Sequence, residues 1–289
     1  MKPAPFKYLR AGSVEEAVAA LAEHGEEAKV LAGGQSLVPL MNLRLATPGV
    51  LVDVNGIAEL SGVRANGALE LGAMTRQLAA ERAPATAAAA PLVAEALRHV
   101  AHVGVRSRGT VGGSLAHADP AAELPAVLVA LGGEVVARGP GGERTIAAEE
   151  LFAGYFTTSL GPDELLTAVR VPRADGALRT GFAEVARRPG DFALAGAAVA
   201  VRLGADGSCE SARIALFGVA DRPLRARGAE EALAGRTLDE AALRDAQDAT
   251  SVGLETRGDG HASAEYRREV AGVLVRRALA QAAGEGRTR

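Results

Sequence analysis

The sequence predicts a mixed α and β protein that is divided into two domains. Its 289 residues, 48% of them hydrophobic, are enough for one large or two ordinary cores. Up to residue 172, short apolar runs alternate with helical patterns, which is typical of a mixed fold. A polar stretch at 173–180 then precedes three more strand-like runs. We therefore place a domain boundary at residue 176, with 1–176 as the first domain and 177–289 as the second.

The first elements surround a glycine-rich segment. Ser13 followed by Glu16 has the form of a helix capping box, so a helix is predicted to begin there. Apolar residues then recur at helical spacing until Gly25, which is placed to end the helix. Short strands are predicted at 5–10, 29–32 and 50–54.

The rest of the chain follows the same reasoning. Pro91 fits the first turn of a helix, where its missing N–H costs nothing, and Asp206-Gly207 is typical of a tight hairpin turn. In the final helix, Tyr266, Val270, Val273 and Leu274 are predicted to form the apolar face, and a frayed tail is expected after Gly284. The remaining predicted strands are 67–71, 134–138, 165–171, 180–187, 193–203 and 212–220, and the predicted helices are 75–82, 91–100, 120–131 and 265–282.

Composition excludes several classes of function. The net charge of −3 and the aromatic content of 3% argue against a nucleic-acid partner, which needs a basic stripe or stacking platforms. The single cysteine, Cys209, forbids an intrachain disulfide and a four-thiolate iron–sulfur cluster. The histidines show no metal-binding spacing, so no metal ligands are predicted. No transmembrane segment or secretory signal is recognised, so a cytoplasmic location is expected.

Two glycine-rich segments are the strongest functional signal. Each pairs two glycines with a following serine, at 32–37 and at 109–115. Glycine permits positive φ and close approach to the main chain, and successive exposed N–H groups form an anion-binding concavity. Two such segments could clamp the two phosphates of a dinucleotide. The alternative is that both are ordinary turns capped by serine. Neither matches the GxGxxG or Walker pattern.

The two segments and their surroundings resemble the FAD-binding medium subunit of molybdenum hydroxylases. That family includes the flavoprotein subunits of aerobic carbon monoxide dehydrogenase and xanthine-dehydrogenase-like enzymes. The similarity runs from 5–8 to 263–268. It implies an α+β FAD-binding domain of the vanillyl-alcohol-oxidase (PCMH) type, with subdomains at about 1–57 and 58–176. A smaller C-terminal domain with a three-stranded antiparallel sheet and helices would follow.

The resemblance also implies which residues contact FAD. Both glycine segments would bind the pyrophosphate through backbone N–H groups, with hydroxyls from Ser36 and Ser114. Asp119 and Glu123 would bind sugar and ribityl hydroxyls, although acids are also favoured at a helix start, and relatives often have Asp at the position of Glu123. Gln35 is either a cofactor contact or a solvated side chain, and Phe192 either walls the isoalloxazine or packs in the core. The implied contacts are Ala32, Gly33, Gly34, Gln35, Ser36, Leu37, Val105, Thr110, Val111, Gly112, Gly113, Ser114, Ala118, Asp119, Glu123, Leu165, Leu166, Asp191 and Phe192.

The function implied by the resemblance is electron transfer. FAD, bound non-covalently, would take electrons from a partner [2Fe-2S] small subunit and pass them to a quinone, NAD or oxygen. A partner large subunit would hold molybdopterin and oxidise the substrate, in a dimer of heterotrimers. No catalytic residue is expected in this chain. The alternatives are a self-sufficient FAD oxidase or reductase of the same fold, and an assembly module that has lost its flavin.

Overall fold

The chain begins with a small parallel sheet. The structure, a computed structural model, describes residues 2–284, so the predicted tail beyond Gly284 lies outside the described residues. The strands are arranged in the order β1–β3–β2, and all of them run in parallel. Their carboxyl ends therefore lie at one edge of the sheet, which is where ligands bind in open sheets of this kind. The elements are β1 Lys7–Arg10, α1 Val14–His24, β2 Ala28–Leu31, α2 Leu37–Asn42 and β3 Val50–Asp53.

The start of α1 confirms the predicted cap with one difference. The Ser13 hydroxyl accepts a hydrogen bond from the N–H of Glu16 at 3.2 Å. The Glu16 carboxylate reaches back to the N–H of Gly12, at 2.7 Å, instead of to that of Ser13. Two backbone donors at this end are still satisfied, as a capping box requires. Gly25 ends the helix with a φ of 51°.

A five-stranded antiparallel sheet follows, in the order β4–β5–β10–β6–β7. Its strands are β4 Val63–Asn66, β5 Ala68–Gly72, β6 Glu134–Gly139, β7 Gly142–Ala147 and β10 Leu165–Val171, and β8 Phe152–Gly154 pairs separately with β9 Thr157–Thr158. The helices in this region are α3 Gln77–Arg82, α4 Pro84–Ala89, α5 Pro91–Leu97, α6 Val103–Arg106, α7 Val111–His117, α8 Glu123–Ala130 and α9 Ala148–Leu151. The sequence did not predict β4, β7, β8, β9, α4, α6, α7 or α9.

The C-terminal region contains the predicted antiparallel sheet and its helices. Three long strands, β11 Leu178–Ala186, β12 Ala193–Leu203 and β13 Cys209–Phe217, pair in order, and the two-residue strand β14 Leu224–Arg225 adds a fourth at the edge. The helices are α10 Arg227–Leu233, α11 Glu240–Ser251 and α12 Ala264–Ala283. The predicted apolar face of α12 is partly wrong, because Tyr266 is exposed whereas Arg267 is buried.

Helix α8 joins the two regions. Each of its residues is buried, because it packs against β12 and β13 of the C-terminal sheet and against α5 and α7 of the preceding region. The other face of the C-terminal sheet packs against α10 and α12. One hydrophobic core therefore includes residues from both regions, among them Leu128 and Phe217.

A cluster of charges adds a second connection. Glu149 on α9 accepts hydrogen bonds from Arg213 at 2.5 Å, Arg225 at 2.6 Å and Arg227 at 3.1 Å, all from the C-terminal region. Arg225 also pairs with Glu230. Within residues 2–284, none of the helices combines the length and the apolar character that a membrane crossing requires.

Candidate cofactor site

The first glycine segment leaves a run of backbone donors free. It begins at the carboxyl end of β2 and turns at Gly34, which has a φ of 71°. Among residues 2–284, no protein acceptor takes a hydrogen bond from the five successive N–H groups of 33–37. The Ser36 hydroxyl does not cap α2 and is also unused there. Such a run of free donors is the kind of concavity that binds phosphate.

The side chain of Gln35 is directed to its own turn. Its amide nitrogen donates to the carbonyl of Gly33 at 3.1 Å. The residue is exposed, and this bond accounts for only one of its polar atoms. The side chain of Gln35 therefore stabilises the turn, and its amide oxygen stays accessible to solvent or to a ligand.

The second glycine segment was expected to offer free backbone N–H groups to phosphate. In the structure it instead forms helix α7 and the residues that lead into it. Thr110 caps α7, and its hydroxyl accepts from the N–H of Gly113 at 3.1 Å. The N–H of Val111 donates to Thr75 and that of Gly112 to Ala73, at 3.0 Å and 2.8 Å. The backbone donors at the start of α7 are thus already bonded within the protein. On this side, the hydroxyl of Ser114 is the polar group left for a ligand in the described part of the chain.

The two segments pack directly against each other, and glycine is required for this contact. A Cβ atom on Gly33 would lie 2.4 Å from the carbonyl oxygen of Arg108 and 2.8 Å from the Cα of Gly109. A Cβ on Gly112 would lie 2.6 Å from the Cβ of Ala73. Because real Cβ atoms do not approach so closely, these glycines allow the main chains to meet. The structure thereby brings together the two segments singled out in the sequence.

The acidic segment that follows α7 contains one local cap and one buried acid. Ala118 ends α7 in the left-handed region, at a φ of 52°. The carboxylate of Asp119 accepts from the N–H of Ala121 at 2.9 Å, so it stabilises this turn. Glu123 lies in the first turn of α8 and is only 7% exposed. No side chain among residues 2–284 hydrogen-bonds to its carboxyl group, which leaves that group available to a ligand.

Burial keeps this carboxyl group neutral. Loss of solvent raises the pKa of Glu123 to about 8, and the charges of Glu184 and Asp119 act in the same direction, whereas a hydrogen bond from its own backbone N–H and the charge of His99 act against them. His99 Nδ1 lies 3.2 Å from a carboxylate oxygen of Glu184. The hydrogen bond that the ring of His99 makes to the Glu184 carboxylate, opposed by burial, raises the pKa of His99. A protonated Glu123 can donate to a hydroxyl as well as accept from one.

Three of the implied apolar contacts are placed by the fold. Leu165 and Leu166 on β10 are 4% and 5% exposed and belong to two different hydrophobic cores. Because their side chains are packed inside the protein, a ligand could contact these two residues only through their backbone atoms. Val105 in α6 accepts from the N–H of Gly109 at 2.7 Å, which shapes the turn into the second glycine segment.

The loop before β12 presents an aromatic side chain. Phe192 is 67% exposed, which excludes the alternative that it packs in the core. Asp191 accepts from the N–H of Phe192 at 3.0 Å and pairs with Arg187 at 3.2 Å. Gly190, at a φ of 76°, lies against His102: its Cβ would be 2.7 Å from the Cε1 atom of that ring. A loop of the C-terminal region thus contacts the segment that leads to the second glycine segment.

These features fit a cofactor with phosphates, hydroxyls and an aromatic ring. The free N–H run at 33–37 suits a pyrophosphate, and the neutral carboxyl of Glu123 suits sugar or ribityl hydroxyls. Exposed Phe192 suits a ring face. The fold and the site together are those expected of a protein that binds a dinucleotide cofactor.

Comparison with known proteins identifies the family. Residues 4–174 match the FAD binding domain in molybdopterin dehydrogenase, and residues 180–282 match the CO dehydrogenase flavoprotein C-terminal domain. The chain therefore belongs to the family of FAD-binding subunits of molybdopterin dehydrogenases. It is an oxidoreductase subunit whose cofactor is FAD.

The relatives span the whole chain. The 6-hydroxypseudooxynicotine dehydrogenase complex subunit alpha of Paenarthrobacter nicotinovorans is 42% identical and covers 98% of this chain and 96% of its own length. Caffeine dehydrogenase subunit beta of Pseudomonas sp. (strain CBB1) is 41% identical, with the same coverage of 98% and 96%. The solved carbon monoxide dehydrogenase from Hydrogenophaga pseudoflava is 40% identical, with a TM-score of 0.95 over 99% of each chain.

Proposed function

We propose that this chain is the electron-transfer subunit of a molybdenum hydroxylase complex, in which FAD accepts electrons from a partner [2Fe-2S] subunit and passes them to a quinone, NAD or oxygen. The observation on which this rests is the run of free N–H groups at 33–37, packed against the second glycine segment. The family matches over residues 4–174 and 180–282 support it.

The surroundings of the main implied contacts indicate which part of FAD each of them would bind. The N–H groups of Gly34, Gln35 and Leu37 would hold one phosphate group, and the hydroxyls of Ser36 and Ser114 would add donors. Glu123, with Asp119 beside it, would bind ribityl or sugar hydroxyls. Phe192 would cover the ring, and the chemistry of electron transfer would be tuned by burial and nearby charge.

The substrate of the complex would be chosen by the partner subunits. The three relatives are almost equally similar to this chain, yet their names refer to 6-hydroxypseudooxynicotine, caffeine and carbon monoxide. Similarity to this chain therefore does not follow the substrates that these names give. We therefore assign the substrate to a molybdopterin large subunit, in a cytoplasmic dimer of heterotrimers with an iron–sulfur small subunit. The boundary at residue 176 stays a prediction.

The first test is the absorbance spectrum of the purified chain before and after addition of FAD. Flavin bands that move to the supernatant after acid precipitation are expected. Flavin that stays in the precipitate would indicate a covalent link and favour the self-sufficient oxidase. A colourless protein that ignores FAD would refute the proposal.

A matched pair of variants connects the flavin to the first glycine segment. Gly34 and Gly235 both have positive φ, at 71° and 70°, so alanine costs about 1–2 kcal/mol of strain at either position. Only Gly34 lies in the proposed site. Gly34→Ala is therefore expected to lose flavin, whereas Gly235→Ala, whose Cβ would have nothing within 4 Å, keeps it. Equal flavin content in the two variants would count against the site.

A further inference from the structure

An asparagine outside the two glycine segments hydrogen-bonds to the backbone where the first segment begins. Asn55 follows β3, at the same sheet edge where β2 ends. Its side-chain nitrogen donates to the carbonyl of Ala32 at 2.9 Å and to that of Leu31 at 3.2 Å. These two carbonyls belong to the last residue of β2 and the first residue of the glycine segment. Asn55 therefore fixes the direction in which the chain enters the phosphate-binding turn.

An arginine connects Asn55 to the second segment. Arg76 precedes α3 and donates to the side-chain oxygen of Asn55 at 2.6 Å. Its other terminal nitrogen donates to the carbonyl of Arg108 at 2.5 Å. That carbonyl oxygen is the atom that a Cβ on Gly33 would meet. The guanidinium group of Arg76 therefore bridges the contact between the two glycine segments. Its rigid planar geometry allows it to donate to both acceptors at once.

The orientation of the Asn55 amide is set by its neighbours. A carboxylate oxygen of Asp53 accepts from both the backbone and the side-chain nitrogen of Asn55, at 2.9 Å and 2.6 Å. The hydroxyl of Tyr8 donates to the other oxygen of Asp53. The amide nitrogen therefore faces the carbonyls of the first segment, and the amide oxygen faces Arg76. Tyr8, Asp53, Asn55 and Arg76 form a continuous chain of hydrogen bonds.

We infer that Asn55 and Arg76 are positioning residues that hold the two glycine segments in the geometry that binds the pyrophosphate of FAD. The inference rests on the proposed FAD site. Asn55 acts through the main-chain carbonyl of Ala32 in the first segment, and Arg76 through that of Arg108, directly before the second. Neither residue belongs to the implied cofactor contacts. Their effect should therefore appear in the affinity for the pyrophosphate and not in the stability of the fold.

Two variants separate positioning from charge and size. Asn55→Leu keeps the size and the neutral charge but can neither donate to the carbonyl of Ala32 nor accept from Arg76. Arg76→Lys keeps the positive charge but loses the planar group that donates to two acceptors. Asn66→Leu and Arg64→Lys are matched controls on β4, away from the two glycine segments, where Arg64 pairs with Glu70.

The measurement is the dissociation constant of the full, flavin-free chain for FAD and for ADP, which contains the pyrophosphate without the flavin ring. Loss of one hydrogen bond to a charged or well-oriented group is expected to weaken both ligands by about 10-fold in each variant. The melting temperature without ligand should match that of the controls. The double variant should be no weaker than the weaker single variant, because both changes break one bridge.

Three results would overturn the inference. The first is FAD and ADP affinities within about twofold of the wild type. The second is a retained affinity in Arg76→Lys, which would mean that charge alone matters. The third is a loss of affinity matched by an equal loss of melting temperature. A wild-type chain that binds neither ligand would contradict the proposed function itself, whereas normal wild-type binding with silent variants would contradict the positioning role alone.

Discussion

The buried carboxyl group of Glu123 gives the chain a distinctive dependence of stability on pH. In the folded protein its pKa is about 8, against an ordinary value of 4.5 in the unfolded chain. Between these two values the folded state keeps a proton that the unfolded state releases. A raised carboxyl pKa therefore stabilises the fold at low pH, and this contribution is lost as the pH rises.

The magnitude follows from linkage. One retained proton changes the free energy of unfolding by about 1.4 kcal/mol per pH unit, so the loss between pH 5 and pH 8 is about 4 kcal/mol. Glu123→Gln replaces the neutral acid with an isostere that does not titrate. In FAD-free protein, the variant should match the wild type near about pH 5 and exceed it near about pH 8.

The assay is urea unfolding of both proteins across this pH range. Glu59→Gln is the control, because Glu59 is exposed and lies outside the buried cluster. The charged neighbours of Glu123, namely His99, Glu184 and Asp119, are the same in both proteins, so the difference between the two curves reports on Glu123 itself. Parallel curves for the wild type and Glu123→Gln, offset by a constant amount, would refute the reasoning.

Three further predictions concern packing, charge and the aromatic cover. Gly112→Ala should lower the free energy of unfolding, measured by denaturation, by about 2 kcal/mol, because the new Cβ would lie 2.6 Å from that of Ala73. Gly104→Ala is the control: a Cβ there would have no atom within 4 Å, so no such cost is expected. Glu149→Gln should lower the melting temperature more than Glu150→Gln, since Glu149 accepts from three arginines, with an effect of about 1 kcal/mol at its half-exposed position; equal melting temperatures would contradict this. Phe192→Ala should increase quenching of the bound flavin by iodide without altering the fold, and unchanged quenching would show that Phe192 does not cover the ring.

Where local sequence determines the backbone, the sequence was a good guide. The strand predicted at 165–171 coincides with β10, and that at 193–203 coincides with β12, because each is a long apolar run between turn residues. The cap at Ser13 was equally local. Strand β4, with its polar sequence Val63–Asn66, was missed because its pairing with β5 and not its composition makes it a strand.

The structure brings the two predicted glycine segments together, but the hydrogen bonds of the second segment differ from the prediction. The second glycine segment was expected to offer free N–H groups, but these donate to Thr75 and Ala73, which are distant in sequence. The bridge through Asn55 and Arg76 was missed for the same reason. One feature of the sequence could have indicated Asn55. It comes directly after a predicted strand, and in parallel sheets the residues at the carboxyl ends of the strands commonly bind ligands. Arg76 gave no comparable signal.

The contact of Gly33 with the carbonyl of Arg108 has a consequence for how such a chain can diverge. Where two side chains touch, a change in one can be compensated by a change in the other. Here main chain meets main chain, so no second substitution makes room for a Cβ atom. The contact is therefore expected to be kept or lost as a unit, whereas the surfaces around it can change residue by residue.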